Sequence, residues 1–361
     1  MNITESLYAA IEKGREGKSQ GYSIGLPKLE EVIDGVTKGT YFLLGGESGT
    51  GKSRLALYSF VYRPLMEHLN DKKFKVTFFS LEMNPDMILC ILLSMYLYEK
   101  YEIRLSVKQI LSIKRNYILD DKSYNIIKEC RPWLDKVEQI IEIYDKNNNA
   151  DSIYATLMTS LEKDGVFKET DKHKIYIPND PELIHVVIVD HLGRIFPTNG
   201  RSLKEEMDRT SKYLYSLKNR TGISPVIIQQ LNRSIQSMDR RRENMMCPQT
   251  SDFKDSNCSI EDAEVVLAIF SPNKAKMSSY RGYDIKTLKS HFSTLTVLKS
   301  RYGESDVEDA LFFDGKCNMW FELPKSDEIV DYNYLLLPLQ EKEEQDTIEV
   351  GKDTSNFSFK L

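Results

Sequence analysis

The residues YFLLGGESGTGKS (41–53) run from a short apolar strand into a glycine-rich turn and then a helix start. Within them Gly46-x4-Gly51-Lys52-Ser53 is a complete phosphate-binding loop pattern. Residues 41–44 read as the strand and 54–69 as the helix. Glycines let backbone N–H groups close around phosphate oxygens, and the helix start adds a favourable dipole. The loop residues Gly46, Ser48, Gly49, Thr50, Gly51, Lys52 and Ser53 are therefore candidate nucleotide ligands. Lys52 has the reach for the β- and γ-phosphates, and Ser53 is a candidate ligand for Mg²⁺.

Working outward, strand patterns recur at 74–81, 140–145, 185–190, 224–230, 264–270, 295–300 and 309–314. Helical spacing covers 3–13, 86–101, 102–136 and 203–220. Gly14 is a stop signal, and residues 14–20 read as a Gly/Ser/Lys linker. Residues 163–182 are polar without a clear period and read as a surface insertion. Beyond 340 the chain turns acidic and loses apolar periodicity, as in a mobile tail. Strands alternating with helices imply an α/β fold with a mostly parallel sheet covered by helices. The expected organisation is a linker helix and linker over 1–20, one nucleotide-binding domain over 21–338 and an acidic tail over 339–361.

Two acids belong with the loop. Asp190 ends the apolar run HVVIVD (185–190), at the carboxyl end of a strand, where ligands bind in open α/β sheets. It can hold Mg²⁺, or it can cap a helix; beside a phosphate loop the metal reading is preferred. Glu82 ends VTFFSLE (76–82). A lone carboxylate is costly to bury without a partner. At the same sheet edge it can deprotonate a water that attacks a γ-phosphate; it can also cap the helix that follows.

Composition narrows the class. The chain has 361 residues, 41% hydrophobic and 29% charged, as in a soluble globular protein. No apolar run has the length of a membrane span. The opening residues lack the basic-then-apolar pattern of a secretory signal. The five cysteines (90, 130, 247, 258, 317) form no CxxC pair, which argues against a disulfide scaffold or a zinc ribbon. A reducing cytoplasm is expected. The net charge of −5 disfavours bulk coating of nucleic acid. Residues 199–245 run against it, with ten basic residues to five acidic. By charge alone, that excess reads first as a solvated helix face.

Six stretches in order resemble the DnaB-type replicative helicases in their RecA-like motor domain. These are GGESGTGKS, FFSLEM, VVIVDHLGRI, VIIQQLNRS, SDFKDSNCSIEDAEVVLAIF and LTVLKSRYGES. The resemblance runs from about residue 21 to 323. It implies a RecA-like core, ATP and Mg²⁺ as cofactors, single-stranded and forked DNA as partners, and a homo-oligomer, a hexamer in form. It also implies a loader, primase or polymerase as candidate partners. Within it, Glu82 matches the catalytic base and Asp190 the metal-binding acid. Gln230 matches the γ-phosphate sensor. Lys299 and Arg301 match finger residues that reach a neighbouring subunit's γ-phosphate. Two loops that line the family's DNA channel match about 197–208 and 234–251. They and the adjoining motif nominate Arg201, Lys204, Arg233, Arg240, Arg241 and Arg242 for DNA.

The chain also departs from the family pattern. Only about 20 residues precede the motor, so the usual N-terminal helical domain is not expected, and a phage or mobile-element source would suit so compact a form, in a host cytoplasm. Asn257 stands where the family has glycine. The rival readings are a RecA/RadA-like strand-exchange ATPase and an ATPase assembly factor that does not unwind DNA.

Overall fold

The structure is a computed structural model that describes residues 3–115, 117–146, 149–169, 174–232, 235, 240, 246–253, 258–337 and 339. In chain order the strands are β1 (Phe42–Gly46), β2 (Phe74–Ser80), β3 (Ile141–Tyr144), β4 (Gly165–Glu169), β5 (Lys174–Pro178), β6 (Ile184–Asp190) and β7 (Ser224–Gln230). They continue with β8 (Val265–Phe270), β9 (Ser279–Tyr280), β10 (Tyr283–Asp284), β11 (Phe292–Ser300), β12 (Val307–Asp314) and β13 (Met319–Glu322).

Nine of them form one sheet in the order β13-β12-β11-β8-β1-β7-β6-β2-β3. From β8 to β3 all neighbours are parallel, while β11, β12 and β13 add on as antiparallel strands. All six parallel strands therefore end at one edge, where the phosphate loop leaves β1.

Strand alternation explains why both faces are covered. Phe42, Leu44, Phe78, Ile188, Val226 and Leu267 pack into one core, beneath the helices Lys52–Leu57, Pro85–Tyr101 and Arg131–Ile140. Leu43, Phe79, Val187, Val189, Ile227 and Val266 pack into the other, against Ala150–Asp164 and Leu203–Thr221. Phe78 and Phe79 are each fully buried, on opposite faces. Burying each such side chain is worth about 1.5–3 kcal/mol.

Several elements differ from the sequence expectation. The helix expected at 54–69 begins at Lys52 and widens into a π turn over Tyr58–Tyr62 before Arg63–His68. Pro64 lacks an N–H and its ring crowds the preceding turn, so the local expansion accommodates it. The expected helix over 102–136 is broken into Val107–Ile110, Asp121–Glu129 and Arg131–Ile140. The breaks follow caps: Ser106 and Gln109 form a capping box, and the Asp120 carboxylate accepts from the Ser123 N–H at 2.8 Å. The helix at the N-terminus runs through Gly14 to Arg15. The stretch 163–182 is not featureless. It holds the β4–β5 hairpin, with Phe167 opposite Tyr176 and both rings against the second core. Strand β13 and the helix Ala150–Asp164 were not expected. The tail beyond 340 lies outside the described residues.

Candidate nucleotide site

The phosphate loop has little freedom to be anything else. A Cβ on Gly46 would lie 2.6 Å from Ile269 Cγ2, and one on Gly51 would lie 3.0 Å from the Trp320 ring. Gly51 also sits at φ 93°, a left-handed conformation open to glycine. The Thr50 hydroxyl donates to the Glu47 carbonyl at 2.9 Å, and the Lys52 ammonium donates to the same carbonyl at 2.7 Å. Burial pushes Lys52 down to about 8, against the pull of the Asp190 and Glu82 charges. An anion in the loop would restore its ordinary basicity.

Asp190 closes β6 and is 1% exposed. Neither of its carboxylate oxygens has a hydrogen bond of normal geometry. Burial pushes its pKa up to about 6, opposed by the nearby Ser53 hydroxyl and the Lys52 charge. A buried, unpartnered carboxylate beside a hydroxyl is a donor set that fits a hard divalent cation. Asp190 and Ser53 are the residues that would hold one.

Glu82 stands two residues past β2 at the same edge, where the Leu81 N–H donates to the Asp190 carbonyl at 2.7 Å. Its Oε1 meets His191 Nε2 at 3.1 Å and Arg194 Nε at 3.0 Å. The Gly193 N–H donates to His191 Nδ1, so the ring proton sits on Nε2 and points at Glu82. Burial lowers the His191 pKa and favours that neutral form. Neither His191 nor Arg194 carries a signal in the sequence beyond adjacency to Asp190. Gln230 ends β7 directly beside Gly46. Its neighbour Gln229 is buried and accepts from the Ser259 hydroxyl at 2.7 Å.

Lys299 and Arg301 are elsewhere. Strand β11 runs against β8, and its end, Ser300, pairs with Val265 at the start of β8. Both cations therefore lie at the edge opposite the loop. The Lys299 ammonium donates to the carbonyls of Ile260 and Ala263, each at 2.7 Å. The Arg301 N–H donates to the Glu264 carbonyl at 2.9 Å, and its guanidinium lies 3.6 Å from the Glu264 carboxylate. That buried carboxylate also binds Lys218 at 2.6 Å and the Tyr41 N–H at 2.9 Å.

The basic candidates divide. Lys204 is exposed on the first turn of Leu203–Thr221. The Arg201 guanidinium rests on the Thr198 carbonyl and hydroxyl, 3.8 Å from Glu206. Arg240 is engaged within the chain: it pairs with Asp252 and donates to the Cys247 carbonyl at 2.7 Å, bracing its own loop. Arg233, Arg241 and Arg242 lie outside the described residues. Among the described residues no group of three or more His, Cys, Asp or Glu could hold a metal, and no helix is long and apolar enough to cross a membrane.

Residues 21–321 match the model of the DnaB-like helicase C-terminal domain family. The replicative DNA helicase DnaB of Helicobacter pylori (strain 26695) is 24% identical over 321 residues, 86% of this chain and 54% of that protein. That of Leifsonia xyli subsp. xyli is 24% identical over 275 residues, 74% of this chain and 51% of that protein. The chain spans about half the length of the curated relatives it matches. In fold it resembles a solved ATPase domain, with a TM-score of 0.68 and 16% identity over 90% of this chain and 99% of that one. A DnaB-like replicative helicase, solved with its interactions with primase, aligns at TM-score 0.65 and 17% identity over 90% of this chain and 67% of that one.

Proposed function

The chain belongs to the DnaB-like helicase C-terminal domain family, and we propose that it is an ATP-driven motor of the replicative helicase type. In this reading identical subunits form a ring, a hexamer, that moves along single-stranded DNA and separates a duplex. The observation that supports it best is the division of labour across the sheet. The loop, Asp190, Glu82 and Gln230 occupy one edge, while Lys299 and Arg301 occupy the other, where a neighbour's triphosphate can meet them.

The steps follow from the residues. Backbone N–H groups of the loop and the Lys52 ammonium bind the phosphates of ATP. A Mg²⁺ held through Ser53 and Asp190 would neutralise phosphate charge. Glu82 accepts the proton of the attacking water; the neutral His191 ring and Arg194 hold its carboxylate in place. Gln230, beside Gly46 at the end of β7, senses the γ-phosphate. A neighbour's Arg301 and Lys299 stabilise the charge that develops in the transition state, and such fingers are worth about 10³–10⁵ in rate. Arg201 and Lys204, together with Arg233, Arg241 and Arg242, contact DNA phosphates without regard to sequence. Arg240 supports that loop from within.

Residues 21–338 form the motor in this reading, with 1–20 as an arm to the neighbouring subunit and 339–361 as a tail. The exposed stripe on helix Ile3–Arg15 supports the arm: Ile3 is 89%, Leu7 58% and Ile11 49% exposed, and none of its residues is buried on its own chain. Primase, loader and polymerase contacts come from kinship with replicative helicases, and the place of action is the cytoplasm. The test is strand separation on forked DNA with ATP, read beside negative-stain images. Rings that unwind the fork are expected. Filaments on single-stranded DNA without unwinding, or no DNA-stimulated hydrolysis, would overturn the proposal.

A further inference from the structure

A second lysine stands on the phosphate loop. After β8, which lies beside β1, the chain makes a tight turn: Ala275 N–H donates to Ser271 at 3.3 Å, Lys276 to Asn273 at 3.0 Å and Met277 to Pro272 at 3.0 Å. Ala275 is buried against Phe270, Ile235 and Met246, which fixes the backbone of its neighbour Lys274. The Lys274 ammonium donates to the Ser48 carbonyl. Lys52 donates to the carbonyl of the preceding residue, Glu47. A Cβ on Gly49 would come within 2.6 Å of Lys274 Nζ. Two ammonium groups thus rest on consecutive carbonyls at the crest of the loop. Among the described residues, neither has a carboxylate within ion-pair distance. Burial first, and the Lys274 charge as a lesser cause, lower the Lys52 pKa. Two cations held this close, with the Asp190 and Glu82 charges acting on Lys52 only from beyond ion-pair contact, are suited to a polyanion.

We propose that Lys274 is a second cation for the triphosphate, supplied by the same chain as the loop. On nucleotide binding its ammonium turns from the Ser48 carbonyl to the outermost phosphate. A phosphate oxygen carries charge and the carbonyl does not, and charge-assisted hydrogen bonds are roughly twice as strong as neutral ones. The Lys274 ammonium lies over Ser48 and Gly49, in the turn of the loop that precedes the helix beginning at Lys52. It therefore distinguishes triphosphate from diphosphate before any finger from a neighbour arrives. This rests on the reading of the loop as a nucleotide site.

The test is equilibrium binding of a non-hydrolysable ATP analogue and of ADP to the full chain. The variants are Lys274→Ala, Lys274→Gln, Lys274→Arg and, as a control, Lys52→Ala. Lys274→Ala and Lys274→Gln should weaken the triphosphate about tenfold and ADP much less, and Lys274→Arg should restore most of the loss. Glutamine keeps a donor for Ser48 without the charge, so it separates a phosphate contact from a strap and stands in if the alanine variant unfolds early. Equal losses for both nucleotides, or none, would overturn the inference. Normal triphosphate binding by Lys52→Ala would instead sink the reading of the loop itself.

Discussion

Arg301 and Lys52 stand at opposite edges of one sheet. Phe42, the first residue of β1, pairs with Val265, and Val265 pairs with Ser300, so Arg301 lies one residue beyond that row. Gly46 ends β1 four residues along, roughly 13 Å at the rise of a strand, and Lys52 lies past it. Arg301 is held at its own edge by Glu264, which is itself tied to Lys218 and Tyr41. In the proposed ring, a cation so placed would serve a neighbouring chain's phosphates rather than its own.

Lys52→Ala should weaken binding of ATP and its analogues about 10–100-fold and abolish hydrolysis, because the phosphates lose a charge-assisted donor. Fluorescent nucleotide titration measures it. Wild-type turnover by a folded variant would remove the loop from the mechanism.

Glu82→Gln should bind nucleotide and assemble normally yet hydrolyse about 10²–10⁴ more slowly. The amide keeps the shape and the His191 and Arg194 contacts in outline but accepts no proton. Single-turnover hydrolysis checks it. Loss of nucleotide binding, or an unchanged rate, would make Glu82 a structural residue.

His185 gives a stability signature independent of catalysis. It is buried in β6; its Nε2 bonds the Thr77 hydroxyl at 2.8 Å and its Nδ1 has no partner. Burial holds its pKa down to about 3. The unfolded chain takes up a proton near pH 6.5 that the folded chain refuses, so stability is full above 6.5 and falls as pH drops toward 3. Between about pH 6.5 and 4 this costs about 2–3 kcal/mol. In urea unfolding, His185→Gln should lose less stability over that interval than the wild type. Parallel pH profiles would contradict the burial account.

Removing residues 1–18 should leave a folded chain that binds nucleotide but assembles poorly and fails to unwind DNA. Two or three stripe residues buried on a neighbour would contribute about 3–6 kcal/mol per junction before ordering costs. Light scattering with a non-hydrolysable ATP analogue decides it. Unchanged assemblies would exclude the bridging role of Ile3, Leu7 and Ile11.

The parts legible in the sequence are those whose signal is local. The phosphate loop, the apolar run ending in Asp190 and the strand ending near Glu82 each carry their pattern within a dozen residues. The β4–β5 hairpin escapes such a reading because its alternation, Val166-Phe167-Lys168 against Ile175-Tyr176-Ile177, spans three residues a side amid charge. His191 gains a role through the tautomer set by Gly193. Glu264 and Lys274 matter only because β8 lies beside β1, a pairing of strands more than 200 residues apart that no local pattern encodes. Arg240 reads as one more cation in a basic run, and only the fold reveals Asp252 beside it.

The most direct measurement mixes two inactive variants. Arg301→Ala subunits keep an intact phosphate loop, and Lys52→Ala subunits keep an intact finger. Co-assembled, the two should regain part of the wild-type ATP hydrolysis, since some junctions then pair a whole loop with a whole finger. No recovery in verified mixed assemblies would contradict a site completed by the neighbouring subunit.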